Sequence, residues 1–266
     1  MKIALLLTGQ LRTVDMVKYL HMNTIINKHD TDVFIAINLD DKTSTSKDVS
    51  PYKKALDVIT YFNPKKYFIS DNFDTEYYRL VRANTKFLNS YKSIFAQYYI
   101  VHNAYKLLQD HIDETNTKYD LVMRLRFDQF LCGGDFESIY GTLEKKSSGD
   151  LLYNDINIDI FRYNTSQYEL PLYTPIRNEI YVFGRGNHAN FEWVNDQFFY
   201  HTQASVATLL TFYNSLPRLI DHAVNKEGNV GHCIYEHIFA LFLKEKGFGI
   251  KYAELRSQFI RGFVRS

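Results

Sequence analysis

Short segments rich in apolar residues recur along the first half of the chain, and amphipathic segments separate them. Strands are predicted there, at residues 3–7, 32–38, 66–70 and 119–126. The first of these is a continuous apolar run, which is typical of a strand that is covered on both faces. Helices are predicted between them, at residues 14–27, 52–62, 75–89 and 93–113. The alternation predicts an α/β fold built on a mainly parallel, doubly wound sheet.

The second half of the chain is less regular. Its predicted elements are strands at residues 150–153, 179–183, 193–200 and 249–254 and helices at residues 204–215 and 231–246. No internal repeat or low-complexity linker separates the two halves. A single domain over residues 1–266 is therefore expected, with an irregular carboxyl-terminal half laid against the sheet.

Composition excludes several classes of protein. A chain of 266 residues can bury a core without disulfides, and a net charge of +1 gives no general attraction for nucleic acid or anionic membranes. The two cysteines, Cys132 and Cys233, are too few for a disulfide framework and fit a reducing compartment such as the cytoplasm. The apolar run at residues 3–7 fits a strand better than a signal peptide, and no run is long enough for a membrane span.

Motifs of several common enzyme classes are absent. Neither G-x-G-x-x-G nor G-x-x-x-x-G-K-[ST] follows the first strand, so Rossmann dinucleotide binding and P-loop chemistry are not expected. The motifs G-x-S-x-G, H-E-x-x-H and C-x-x-C do not occur either. Their absence argues against serine hydrolases, zinc proteases and thiol redox enzymes.

The strand predicted at residues 119–126 carries the strongest functional signal. Because side chains alternate along a strand, Arg124, Arg126 and Asp128 are predicted to face one side, and the apolar residues between them the other. Two arginines on a buried strand are costly unless they meet anions, and ligands of open α/β sheets bind at this edge. One interpretation is a site for a phosphorylated ligand with a divalent metal on Asp128. The other is a structural salt-bridge cluster between the arginines and nearby acids.

The loop after the first strand provides a second group of candidates, which begins at Thr8. Gly9 permits a tight turn and close approach of a ligand to the main chain. Gln10 and Thr13 are suited to a base or ribose, and Arg12 is suited to a phosphate. The alternative is a plain turn in which Thr13 caps the following helix.

Two carboxylates in the second half are candidates for the chemistry. Asp196 follows Asn195 at the start of a strand segment, where it either contacts a sugar or forms part of a turn. Glu236 lies on a largely apolar helix, four residues after His232. A carboxyl group flanked by apolar residues can have the raised pKa that a general base needs. The alternative for Glu236 is an exposed surface carboxylate.

The carboxyl terminus is basic and aromatic, with Arg256, Arg261 and Arg265 interleaved with Phe259 and Phe263. A solvated, loosely ordered end is expected. The alternative is that Arg261 folds back over a diphosphate.

Two segments of the sequence resemble glycosyltransferases of the GT-A type. These are LLTGQLRT at residues 6–13 and YDLVMRLRFD at residues 119–128, and residues 193–200 extend the resemblance. More narrowly, the chain is similar over most of its length to small glycosyltransferase-like proteins of large DNA viruses and bacterial polysaccharide clusters. In that fold the fourth strand ends in Asp-x-Asp, which binds a divalent metal and the diphosphate of a nucleotide sugar. Here Asp128 matches the second aspartate, and Arg126 replaces the first.

The resemblance implies a single GT-A-like domain that transfers a sugar from a nucleotide-diphosphate sugar, a UDP-sugar in the first place, to a glycan acceptor. Residues 1–130 would form the nucleotide-binding half and residues 131–266 the acceptor-binding half. Mn²⁺ or Mg²⁺ would bind Asp128, and Glu236 or Asp196 would be the base of an inverting reaction; a retaining reaction needs no such base. The nucleotide diphosphate would be bound by Thr8, Gly9, Gln10, Arg12, Arg124 and Arg126.

A non-catalytic carbohydrate- or nucleotide-binding module on the same fold is the main alternative, and the missing first aspartate favours it. A phosphate-ester hydrolase is a third interpretation. It would need a nucleophilic aspartate after the first strand, and Thr8-Gly9-Gln10 supplies none.

Overall fold

A computed structural model gives the structure of the chain. It describes residues 1–11, 14–39, 50–70, 92–132, 151–152, 170, 172–183, 185–188, 191–226, 234–253 and 256–261. The helix predicted at residues 75–89 lies outside the described residues, as do Arg12, Thr13 and His232.

The first half alternates strands and helices as predicted. In chain order the elements are β1 (Lys2–Gly9), α1 (Val14–His21) with a π-helical turn (Met22–Ile26), β2 (Asp30–Asn38), α2 (Pro51–Phe62), β3 (Lys66–Ser70), α3 (Lys92–Thr115) and β4 (Leu121–Arg126). The middle residues of β1 and β2 are continuously buried, as expected of strands covered on both faces. Helix α2 starts at Pro51 and ends at Phe62. The next residue, Asn63, has a φ of 45°, the left-handed conformation that commonly ends a helix.

The second half contributes shorter elements. They are β5 (Gln129–Cys132), β6 (Leu151–Leu152), β7 (Glu179–Val182), β8 (Arg185–His188), β9 (Phe191–Val194), β10 (Phe199–His201), a 3₁₀ turn (Gln203–Ser205), α4 (Val206–Leu210), α5 (Phe212–Lys226), α6 (Ile234–Glu245), β11 (Gly249–Tyr252) and β12 (Arg256–Arg261).

Strands from both halves build one seven-stranded sheet, in the order β11–β7–β10–β4–β1–β2–β3. Strands β4, β1, β2 and β3 are parallel to their neighbours in this group. Strand β10 runs antiparallel to both β4 and β7, and β11 is parallel to β7. The prediction of an α/β fold on a mainly parallel sheet is confirmed.

The sheet has a hydrophobic core on each face, so it is doubly wound. On one face Leu6 and Val122 pack with α3, α4, α5 and α6. On the other face Leu5 and Met123 pack with α1 and α2. In the described part of the chain, no helix combines the length and apolar character that crossing a lipid bilayer requires.

The strand predicted at residues 193–200 is wrong as a single element. Strand β9 ends at Val194 and pairs with β8 in a separate sheet, whereas β10 starts at Phe199 and joins the main sheet. The break is a local turn, in which Asn195 Oδ1 accepts a hydrogen bond from the Gln197 main-chain N–H at 3.0 Å. The break releases Asp196 from strand pairing.

The helix predicted at residues 204–215 is also wrong in extent. Thr211 interrupts it, because its N–H and its hydroxyl both donate to the Thr208 carbonyl at 3.0 and 2.7 Å. The next helix, α5, then continues through Pro217 to Lys226. A proline at this point removes one helical hydrogen bond, but the apolar face of α5 compensates, since Leu216, Leu219 and Ile220 are buried.

The expectation of a loosely ordered carboxyl terminus is wrong for residues 256–261. Strand β12 pairs antiparallel with β5, with Phe259 opposite Gln129, and parallel with β6. This pairing brings the strand beside the turn that follows β4. Arg265 and Phe263 lie outside the described residues.

The candidate residues meet at one edge of the sheet, called here the carboxyl edge. It comprises the carboxyl ends of β1 and β4 and, because β10 is antiparallel, the amino end of β10. Helix α3 starts at this edge and finishes near the opposite one, where Glu114 pairs with Lys66 at the amino end of β3. Ligands of open α/β sheets bind at such an edge.

Candidate functional site at the carboxyl edge of the sheet

Strand β4 buries Arg124 almost completely, with 1% of its surface exposed. Its Nε donates to Thr8 Oγ1 at 3.0 Å, and its Nη1 donates to the main-chain oxygen of Asp196. Burial lowers the pKa of Arg124 to about 10, although the nearby Asp196 carboxylate opposes this shift. The side chain is therefore a buried cation at neutral pH.

Arg126 lies on the same face of β4 and grips Asp128 with two hydrogen bonds. Its Nε donates to Oδ1 at 2.8 Å and its Nη2 donates to Oδ2 at 2.7 Å. Burial alone would lower the pKa of Arg126, but the charge of Asp128 outweighs it and the pKa is raised. The salt-bridge interpretation of this segment thus holds for Arg126 and Asp128. Among the described residues it does not hold for Arg124, whose hydrogen bonds there go to neutral oxygens.

The alternation predicted for β4 is confirmed. The apolar residues Leu121, Met123, Leu125 and Phe127 all belong to the core on the opposite face from Arg124. Asp128 lies beyond the end of the strand, and its contact with Arg126 brings it back to the same site.

Asp128 does not fit a divalent cation in this arrangement. Both of its oxygens accept hydrogen bonds from Arg126, so a metal ion there would lie next to a guanidinium charge. Among the described residues, no three His, Cys, Asp or Glu side chains lie close enough together to hold a metal. The predicted Mn²⁺ or Mg²⁺ site therefore receives no support from these side chains.

The turn after β1 lies next to the arginines. Thr8 pairs with Arg126 across the two strands, and its hydroxyl accepts the hydrogen bond from Arg124. Gly9 adopts φ +115°, which favours glycine, and no described atom lies within 4 Å of the position that a Cβ would take. Gln10 follows directly. Thr8 is therefore the residue of this turn that the structure places beside the two arginines.

Asp196 is buried at the amino end of β10 and is bound by two side chains of α3. Its Oδ2 accepts a hydrogen bond from the Tyr98 hydroxyl at 2.7 Å and another from the Gln97 amide. The turn interpretation is correct for Asn195, while a sugar contact of Asp196 stays a prediction. The Asp196 carboxylate is held by α3, and the main-chain oxygen of the same residue by Arg124 on β4.

Glu236 lies in the first turn of α6 and is half-buried, so it is not an exposed surface carboxylate. Its Oε2 is shielded from solvent and has no hydrogen-bond partner among the described residues. Burial first, and then the charge of Asp196, raise the pKa of Glu236 to about 7. The expected raised pKa is confirmed in direction. Such a group exchanges its proton near neutral pH, as a general base must.

One tyrosine, Tyr98, links Asp196 to the first turn of α6. Burial and the charges of Asp196 and Glu236 together raise the pKa of Tyr98 well above its ordinary value. Its hydroxyl has the main-chain oxygen of Tyr235 as a second acceptor at 3.1 Å. The Tyr235 hydroxyl in turn contacts Ser93 at the start of α3. The start of α3 is therefore tied to the start of α6 across the site.

Sequence reasoning missed Gln97, Tyr98 and Tyr235. Tyr98 has the spacing of a core residue on α3, and its ring is indeed in the core. Only its hydroxyl belongs to the site. A glutamine followed by a tyrosine on the buried side of a helix was the one available signal, and it indicates polar contacts without naming the partner.

We expect Tyr98→Phe to lower the free energy of unfolding by about 1.5–3 kcal/mol, because it removes a buried hydrogen bond to a carboxylate. The measurement is urea denaturation. The matched control is Tyr105→Phe on the same helix, whose hydroxyl bonds to the neutral His201 ring at 2.6 Å. This control should cost about 0.5–1.5 kcal/mol. Equal losses in the two variants would contradict a charged acceptor at Tyr98.

Comparison with known proteins gives a likeness to solved structures. No model of a protein family matches the chain, and no curated protein matches it. Among solved structures the chain is similar to one described as "PaToxG Glycosyltransferase", with 10% sequence identity and a TM-score of 0.33. The similarity covers 92% of this chain and 73% of that chain. The function is therefore inferred from the site itself.

Proposed function

We propose that the protein is a glycosyltransferase that moves a sugar from a nucleotide-diphosphate sugar, in the first place a UDP-sugar, to a hydroxyl of a glycan acceptor. The observation that carries the proposal is that cationic groups and a basic carboxylate occur together at the carboxyl edge. Two guanidinium groups lie within electrostatic range of Asp196. Burial first, and then the charge of Asp196, raise the pKa of Glu236 to about 7. Inverting transfer from a diphosphate requires both an anion site and a base.

In the proposed inverting reaction, Glu236 accepts the proton of the acceptor hydroxyl while that oxygen attacks the anomeric carbon. The bond from this carbon to the diphosphate oxygen breaks, and the nucleoside diphosphate leaves with the electron pair. A base whose pKa lies near the working pH is half ionised and still basic enough to accept the proton. Asp196 is the competing candidate for this role, because it lies in the same cluster.

In this proposal the two halves of the chain bind different substrates. Residues 1–130 bind the donor nucleotide through Thr8, Gly9, Gln10, Arg12, Arg124 and Arg126, and residues 131–266 bind the acceptor. We place the reaction in the cytoplasm, because two cysteines in 266 residues fit a reducing compartment.

A donor panel tests the proposed function. The protein is incubated with UDP-, GDP- and CMP-sugars in turn, and release of free nucleotide is followed by NMR, which also reports the anomeric configuration of the released or transferred sugar. We expect turnover of one donor class with inversion at the anomeric carbon. If a nucleotide or a sugar binds at one site per chain and no donor is ever cleaved, the binding-module alternative is correct.

A further inference from the structure

We infer that the donor diphosphate is neutralised by Arg126, which it contacts, and by the charge of Arg124, which stays buried, so that nucleotide binding needs no divalent cation. This inference rests on the proposed function and departs from the metal site that the resemblance implies at Asp128. Three features of the carboxyl edge support it: a buried cation with no carboxylate in contact among the described residues, a guanidinium group that is partly exposed, and a carboxylate already bound by arginine.

The first feature is the charge of Arg124. The side chain is fully buried, yet its hydrogen bonds within the described part of the chain go to neutral oxygens, those of Thr8 and the Asp196 main chain. Buried charges are normally paired with an opposite charge in contact. Arg126 stands two residues further on the same face, about 7 Å along the strand, and its charge further lowers the pKa of Arg124. An anion at this edge would relieve both effects.

The second feature is the accessibility of Arg126. Across the strand pairing, Arg126 lies opposite Thr8, at the end of β1. About a fifth of the Arg126 side chain is exposed, while that of Asp128 is almost entirely covered. A phosphate that approaches from solvent therefore reaches the guanidinium group more readily than the carboxylate.

The third feature is the role left to Asp128. A carboxylate that is held at both oxygens by one guanidinium fixes the orientation of that guanidinium. Asp128 is therefore a positioning residue for Arg126. This assignment reverses the change in nucleotide affinity that is expected when the charge of Asp128 is removed. A metal ligand helps to bind a diphosphate, whereas a nearby carboxylate repels one.

Isothermal titration with UDP tests the inference, once in EDTA and once in MnCl₂. We expect the same Kd within about twofold in both. We expect Arg126→Gln to weaken binding about tenfold or more, because it removes charge-assisted hydrogen bonds. Arg126→Lys keeps the charge and should lie between. The control Arg218→Gln removes an exposed arginine that pairs with Glu245 and should leave Kd unchanged. Circular dichroism checks that each variant is folded.

The change in UDP affinity caused by Asp128→Asn distinguishes a metal ligand from a positioning residue. The amide oxygen of this variant still accepts a hydrogen bond from Arg126, and the negative charge is gone, so UDP affinity should stay equal or rise. A large loss of affinity in this variant, or a requirement for Mn²⁺ in the parent, would overturn the inference and leave the transferase proposal standing. Binding of neither UDP nor GDP with or without Mn²⁺ would defeat both. If inorganic pyrophosphate displaces UDP and uridine does not, the phosphate groups of UDP provide most of its affinity, as the inference expects.

Discussion

Glu236→Gln should lower sugar transfer about 10²–10⁴-fold, the usual contribution of a general base, while the affinity for the nucleotide stays unchanged. The change is nearly isosteric and removes only the basic group. Glu236 lies on α6, whereas the guanidinium groups lie on β4, so the two tasks are carried by different elements. Turnover and UDP binding are measured on the same preparation. Full activity in this variant would show that another group, or no group, takes the proton.

The pH dependence of the parent adds a second readout. The base must be ionised, and its pKa is about 7, so kcat/KM should rise with pH and reach half its plateau near pH 7. Any residual transfer by Glu236→Gln should lack this acid limb. A profile that is flat between pH 5 and pH 8 in the parent would contradict the assignment.

Stability should change in the opposite direction from activity. The pKa of Glu236 in the folded protein is above its ordinary value of 4.5, so the folded state favours the protonated form. Folding stability is then lost as the pH rises from about 4.5 through 7. Glu236→Gln should therefore be more stable than the parent at pH 8 and no more stable at pH 4. Such a trade of stability against activity is common at active sites.

Glu245→Gln is the matched control on the same helix. A hydrogen bond from Arg218 lowers the pKa of Glu245, so this exposed carboxylate stabilises the fold above its ordinary pKa. Its replacement should reduce stability slightly at pH 8, the opposite sign to Glu236→Gln, and leave transfer unchanged. Thermal melts of both variants at the two pH values provide the comparison.

The elements that sequence predicted best are those whose environment is simplest. The apolar runs that became β1 and β2 are buried along their middle residues, so burial on both faces alone identifies them. In β4 the alternation of arginines with apolar residues identified both faces correctly. The raised pKa of Glu236 followed from the apolar character of its own helix, which is visible locally.

The features that sequence could not provide depend on contacts between distant segments. The break before β10 exists because β9 and β10 pair in different sheets, and no local pattern encodes that choice. Helix α5 passes through Pro217 because its apolar face packs in the core, which outweighs one missing hydrogen bond. The contact of Tyr98 with Asp196 joins residues 98 positions apart. The sequence around Tyr98 predicts only that this tyrosine belongs to the core.

The pairing of Arg126 with Asp128 shows a different limit. The spacing of the two residues was visible, and both a ligand site and a salt bridge were compatible with it. Only the geometry shows that one guanidinium group binds both oxygens of Asp128, while Arg124 has no carboxylate in contact among the described residues. The sequence thus identified which residues lie at the edge, and the side-chain geometry showed which of them contact each other.

Asp196→Asn should lower the free energy of unfolding by about 1.5–3 kcal/mol, because a neutral amide replaces the charged acceptor of the hydrogen bonds from Tyr98 and Gln97. Arg124 keeps its contact with the main-chain oxygen at this position and loses only the nearby charge. The amide oxygen can still accept from Tyr98 and Gln97, so the turn should keep its shape. Urea denaturation gives the loss, and Asp57→Asn on the exposed side of α2 is the neutral control.

The same variant decides between the two candidate bases. The charge of Asp196 is the second cause, after burial, of the raised pKa of Glu236, so its removal should lower that pKa from about 7. If Glu236 is the base, the acid limb of kcat/KM moves to lower pH and transfer survives above it. If Asp196 is the base, transfer is lost at every pH while Glu236→Gln remains active. Because burial of Glu236 is unaffected, its pKa should remain above 4.5, and the acid limb should stop short of that value.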